Sequence, residues 1–119
     1  MTRHCGSRPI RICEIGCGNG KLLGELRQAG HEVIGVEPDP QAQLLAASLF
    51  GVTVLPGTLE DLPAEVARQP YDLIIMSHVL EHVVDPALAL ANAADLLKPG
   101  GKLVVETPNS AALGLAWSA

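Results

Sequence analysis

The stretch CEIGCGNGKLLGEL, Cys13 to Leu26, sets glycine at every second position, Gly16, Gly18 and Gly20, between an apolar run and a helix-like one. The run before it, IRICEI from Ile10, reads as a short buried strand that stops at Gly16. The run after it places Leu22, Leu23 and Leu26 on one helical face, with Gly30 as the C-terminal stop. A glycine turn between a strand and a helix lies where free backbone N–H groups can face a ligand. Alone, such a turn is equally an ordinary tight connection that binds nothing. Its surroundings decide.

Outward from this turn the same alternation repeats. HEVIGVE is a second strand that ends in an acid, Glu37, and DPQAQLLAASLFG is a helix with Asp39 as N-cap, Pro40 in its first turn and Gly51 as its stop. VTVLPG is a third, shorter strand, and LEDLPAEVARQP holds at most a short helix between Pro63 and Gln69. YDLIIMSH is the fourth strand, and DPALALANAADLLKPGG repeats the Asp-Pro helix start, runs to Lys98 and turns at Pro99-Gly100-Gly101. KLVVET is the fifth strand. Continuous apolar strands joined through helices belong to a parallel sheet covered on both faces, so an α/β fold is expected. The tail PNSAALGLAWSA reads as too short for another helix and strand, which leaves Leu103–Glu106 as an expected open edge.

The totals narrow the function. A chain of 119 residues, 48% apolar and 18% charged, is one small domain able to bury a core. A net charge of −5 without any Lys/Arg cluster argues against a nucleic-acid footprint. No run approaches the roughly 20 apolar residues that span a bilayer, and MTRHCGSRPIR lacks the apolar centre of a signal peptide. The odd set Cys5, Cys13 and Cys17 has no zinc-type spacing, and the expected location is the reducing cytoplasm.

Glu37 follows Gly16 by 21 positions, the spacing at which an acid hydrogen-bonds ribose hydroxyls in nucleotide folds. The glycines run G-x-G-x-G, whereas the dinucleotide fingerprint needs glycine at the place held by Lys21. A phosphate loop needs Ser or Thr after that lysine, and here Leu22 follows. Glu14, two residues before the first glycine, would repel a pyrophosphate and attract a cation. The expected ligand is a nucleoside with positive charge and no phosphate, and S-adenosylmethionine has that character.

The blocks CEIGCGNG, VIGVEPDP, PGTLEDLP, YDLIIMSHVLEHVVDP and LLKPGGKLVVETPN stand in an order and spacing that resembles the class I S-adenosylmethionine-dependent methyltransferases. The likeness is greatest to the group holding ubiquinone-type O-methyltransferases, and it covers roughly residues 10–117. It implies a Rossmann-like core, a mostly parallel sheet of order 3-2-1-4-5. It implies cofactor contacts from Glu14, Gly16, Cys17, Gly18, Asn19 and Gly20 in the turn, and from Glu37 on both ribose hydroxyls. Pro38 and Asp39 would line the adenine side, with Thr58, Leu59 and Glu60 reading the adenine edge; many relatives carry Asp at the place of Thr58. Ser77 and His78 would complete the cofactor set. His78 and His82 are the candidate bases for taking a proton from a hydroxyl acceptor. Some relatives bind magnesium through Glu-x-x-Glu-His here; His78 replaces the first acid, Glu81 and His82 remain, and no metal is assigned. Asn109 would border the substrate.

By the same likeness the chain lacks the family's last two strands and N-terminal cap, so residues 1–119 are expected to be a partial domain. Methyl transfer by direct displacement to a small-molecule O-acceptor is the expected activity. The alternative is a cofactor-binding module without independent catalysis, completed by a partner. A homodimer through the open sheet edge is a further expectation, as is the absence of membrane and nucleic-acid partners.

Overall fold

The central apolar runs, β1 and β4, are buried on both faces in the computed structural model, which describes residues 8–68, 70–77, 79–106 and 114–118, with backbone alone at 81 and 114–118. The elements are β1 (Arg11–Ile15), α1 (Lys21–Gln28), β2 (Glu32–Val36), α2 (Pro40–Phe50), β3 (Val54–Leu55), α3 (Ala64–Ala67), β4 (Tyr71–Ser77), a 3-10 turn (Leu80–His82), α4 (Pro86–Ala94), β5 (Leu97–Glu106) and β6 (Gly114–Ser118). The sheet runs β3-β2-β1-β4-β5-β6. Its first five strands are parallel in the expected order.

Side chains in register across the strands form rows that point to one face. Ile34, Cys13, Ile74 and Leu103 make one row, and Val36, Ile15, Met76 and Val105 the next. These rows carry the larger core, onto which Val66 of α3 and Ala89 and Ala93 of α4 pack. The alternate rows face the other way, including Gly35, Glu14, Ile75 and Val104. On that side Cys17, Leu23 of α1, Ala46 of α2 and Val52 form a smaller cluster. Two Asp-Pro starts behave as their chemistry requires: Asp39 accepts from the Gln41 N–H and Asp85 from the Leu88 N–H.

Three expectations need correction. On α1, Leu23 is fully buried and Leu26 half-buried, but Leu22 is exposed, so the buried face is narrower than three leucines. Helix α4 ends at Ala94 and does not reach Lys98, because Leu97 already pairs with Tyr71 and the Leu96 carbonyl accepts the Tyr71 N–H. The Pro99-Gly100-Gly101 turn survives as a register shift inside β5. Finally, the tail does form a strand. β6 runs antiparallel along Lys102–Glu106, so the edge of β5 is paired and the sheet has one strand more than the five expected. The open edge on which a homodimer was expected is thus covered, since backbone groups left unpaired at a sheet edge find the nearest available partner.

Gly35 marks where the glycine turn and α1 press on the sheet. A Cβ there would lie 2.6 Å from Cys17 Sγ and 2.7 Å from Leu23 Cδ1. Gly35→Ala should therefore destabilise the fold by about 1–3 kcal/mol through overpacking, read as a lower urea midpoint with an unchanged slope.

Candidate functional site

The carboxyl ends of β1, β2 and β4 open onto a cavity of about 410 Å³, the size expected for a small-molecule site. Ile15, Gly16, Glu37, Pro38, Gly57, Thr58, Leu59, Glu60, Ser77, Val79, His82 and Val83 line it. Eight of the expected site residues therefore meet in one place: Gly16, Glu37, Pro38, Thr58, Leu59, Glu60, Ser77 and His82. The fold brings them together because parallel strands end on the same side of the sheet.

The turn after β1 is bound tightly to the end of β2. The N–H groups of Gly16 and Cys17 both donate to the Val36 carbonyl, at 2.8 and 3.3 Å. The Gly18 N–H donates to Glu37 Oε1 at 2.9 Å. The Gly20 N–H bonds the Cys17 carbonyl, and the Lys21 N–H bonds Asn19 Oδ1. This corrects the expectation of free N–H groups facing a ligand. Donors already engaged inside the chain do not make a phosphate cradle, which strengthens the phosphate-free reading by a route the sequence did not show.

The three glycines do different work. A Cβ on Gly16 would lie 2.6 Å from Val79 Cγ2 and 2.7 Å from the Ser77 carbonyl oxygen, so this glycine lets the exits of β1 and β4 meet. Gly20 adopts φ +84° at the N-cap of α1, and a Cβ there would strike Ala46 Cβ at 2.8 Å; it serves helix packing. Gly18 alone of the three has open space where its Cβ would stand. Cys17 is buried, and burial pushes its thiol up to about 12, which suits space-filling and not reactivity.

Glu37 is held as a fixed fork. Oε1 accepts from Gly18 and Oε2 from the Asp39 N–H at 3.0 Å. A carboxylate has about four lone-pair sites, so each oxygen keeps one for a further donor. On the other side of the cavity Thr58 and Asp61 close a small turn, with Thr58 Oγ1 accepting from the Asp61 N–H at 3.1 Å. Glu60 Oε2 takes the Val84 N–H at 3.4 Å, linking this turn to the segment after His82.

Glu14 lies on the opposite sheet face and does not line the cavity, yet it is only 4% exposed. Its Oε2 accepts from Ser77 Oγ at 2.9 Å, and Ser77 does line the cavity. Its Oε1 is buried without a hydrogen-bond partner. Burial raises its pKa to about 7 despite the Ser77 hydrogen bond, with Glu106 and Glu37 adding repulsion.

His78 and Asn109 lie outside the described residues, as does the side chain of Glu81. His82, at the end of the 3-10 turn, is exposed and borders the cavity. Ile15, Gly57, Val79 and Val83 were not expected in the lining. The two valines stand inside SHVLEHV, whose alternation with the histidines was the available signal. No helix among the described residues is long and apolar enough to cross a membrane.

Comparison with known proteins gives a consistent result. The family model described as a methyltransferase domain matches residues 3–118. A ubiquinone biosynthesis O-methyltransferase of Bradyrhizobium diazoefficiens is 36% identical over 106 residues, covering 84% of this chain and 40% of the relative. Among solved structures, a SAM-dependent methyltransferase of Thermotoga maritima, described as a possible histamine N-methyltransferase, aligns with a TM-score of 0.67 at 37% identity, covering 85% of this chain and 45% of that one. A second S-adenosylmethionine-dependent methyltransferase, from Mesorhizobium loti, gives a TM-score of 0.73 at 26% identity, over 83% of this chain and 47% of that one. The chain spans less than half the length of the curated relatives it matches.

A raised acid has a consequence for stability. Glu14 binds its proton more tightly in the folded chain than in the unfolded one, where 4.5 is the ordinary value. The folded state is therefore favoured at low pH, and stability declines as pH rises from about 4.5 to about 7. Glu14→Gln, which cannot ionise, should stabilise the ligand-free protein by about 3 kcal/mol at pH 8, with the gain vanishing near pH 4.5 in urea melts.

Proposed function

The chain belongs to the class I S-adenosylmethionine-dependent methyltransferases, and on that premise we propose that it transfers a methyl group to a hydroxyl of a small molecule. The observation that carries the cofactor site is the Glu37 fork, with its two anchoring N–H bonds and its place in the cavity wall. Two further features fit the same ligand: the partnerless buried Glu14 Oε1 and the open space at Gly18.

Bound S-adenosylmethionine would supply an electrophilic methyl group on its sulfonium, open to direct attack by an acceptor oxygen, with S-adenosylhomocysteine as the leaving group. The chain's own residues do the rest. Glu37 takes the two ribose hydroxyls on its remaining lone pairs. Pro38 and Leu59 offer apolar surface to the adenine, while Thr58 and Glu60 stand at its polar edge. Ser77, which lines the cavity and donates to Glu14 Oε2, links the buried Glu14 to the positive amino-acid end beside Gly16 and Gly18. His82 stands at the cavity rim, where an imidazole can accept the proton that the acceptor hydroxyl loses. The O-acceptor class draws its support from the relatives named as ubiquinone biosynthesis O-methyltransferases. Most of the catalytic gain in such a reaction comes from holding the two reactants in line.

Calorimetry tests the fork. Glu37→Ala should weaken S-adenosylhomocysteine binding by about 1–3 kcal/mol, the usual effect of removing hydrogen bonds to a charged group. Unchanged affinity removes Glu37 from the site, and binding of NAD in place of S-adenosylhomocysteine removes the cofactor reading. Radiolabelled transfer to catechols and phenols, read beside binding, separates an enzyme from a module that only binds.

A further inference from the structure

Glu14 is the buried charge that the cavity itself does not explain. It stands in the row Gly35–Glu14–Ile75–Val104, closed on both sides by neighbouring strands. Ser77 Oγ on β4 reaches Oε2, while Oε1 has no partner and almost no access to water. Among the described residues, the ionisable groups acting on it are Glu106 on β5, Glu37 beyond β2, and the thiols of Cys13 and Cys17 on its own strand and turn. Each of these is an acid, and none offsets a negative charge. An isolated carboxylate in such a place either finds a cation or keeps its proton.

Resting on the cofactor reading given above, we infer that entry of the cationic cofactor expels a proton from Glu14. In the ligand-free chain the carboxyl is protonated and its buried charge removed. When the ligand's ammonium arrives beside Ser77, which lines the cavity and bonds Glu14, the carboxyl O–H bond breaks, the proton passes to solvent, and the carboxylate balances the ammonium across the Ser77 hydroxyl. No electron changes hands. Binding is then coupled to pH around about 7, the value to which burial raises this acid. The cofactor is held more weakly on acidification, although neither Glu37 nor the adenine wall is altered.

The test is isothermal titration with S-adenosylhomocysteine, which keeps the ammonium, from pH 5.5 to 8.5 in pairs of buffers with different ionisation enthalpies. Affinity should rise about tenfold per pH unit below the midpoint and level off above it, with about one proton released per ligand at pH 6. Glu14→Gln should bind with pH-independent affinity and no proton release. Ser77→Ala, which removes the hydrogen bond favouring the ionised form, should move the midpoint upward. A flat profile in the parent chain, or a slope that survives in Glu14→Gln, overturns the inference and leaves the cofactor reading standing. An unmoved midpoint in Ser77→Ala overturns it as well. No binding at any pH overturns the cofactor reading, and the inference with it.

Discussion

Glu37 sits between two backbone N–H groups, one from the turn after β1 and one from the start of α2. That pair of bonds joins three pieces of chain that sequence separates by up to 21 positions. The Val36 carbonyl adds to it by taking the N–H groups of Gly16 and Cys17. The first turn and the tip of the second strand are therefore one rigid unit. The N–H groups of Gly16, Cys17, Gly18 and Gly20 are engaged internally, while the Glu37 oxygens keep acceptor capacity. A surface of that kind suits hydroxyls and ammonium groups and is unsuited to phosphate.

The sheet supplies the second half of the electrostatics. Because side chains alternate along a strand, Glu14 lies on the face opposite Cys13 and Ile15. A slip of one residue would place the acid in the larger core, where α4 and α3 close over it. In its actual row it is shielded from water but adjoins Ser77, and Ser77 reaches the cavity. The site is thus acidic on two levels, with a fixed fork at the rim and a buried carboxyl behind it. Above neutral pH the buried carboxyl lowers the stability of the fold.

Apolar side chains surround this arrangement on both sides of the sheet, and that burial is what makes the strands readable. Runs such as LIIM in β4 are continuous because neither face meets much water. The Asp-Pro starts were equally plain, since an N-cap carboxylate and a proline in the first turn act within a few residues. Gly16, Glu37, Pro38, Thr58, Leu59, Glu60, Ser77 and His82, picked out in the sequence, line one cavity, because short motifs at strand ends converge in a parallel α/β fold. Not legible was Leu22, which is exposed although it shares the apolar helical spacing of Leu23 and Leu26. The early end of α4 was hidden too, because the pairing of Leu97 with Tyr71 overrides a helix propensity that continues through Leu96.

From the sequence alone came the strand and helix order, the parallel sheet and a ligand that is cationic and lacks phosphate. These rest on local chemistry: apolar runs, caps, glycine spacing and the sign of Glu14. Only the tertiary structure decided that the N–H groups of Gly16, Cys17, Gly18 and Gly20 are already bonded, that Gly20 serves packing while Gly18 faces open space, and that Glu14 has one orphaned oxygen. It also decided that GLAWS pairs with β5, a strand made by its partner and not by any pattern of its own. Each of these depends on which distant atoms arrive at hydrogen-bonding or contact distance, and spacing along a chain does not encode that.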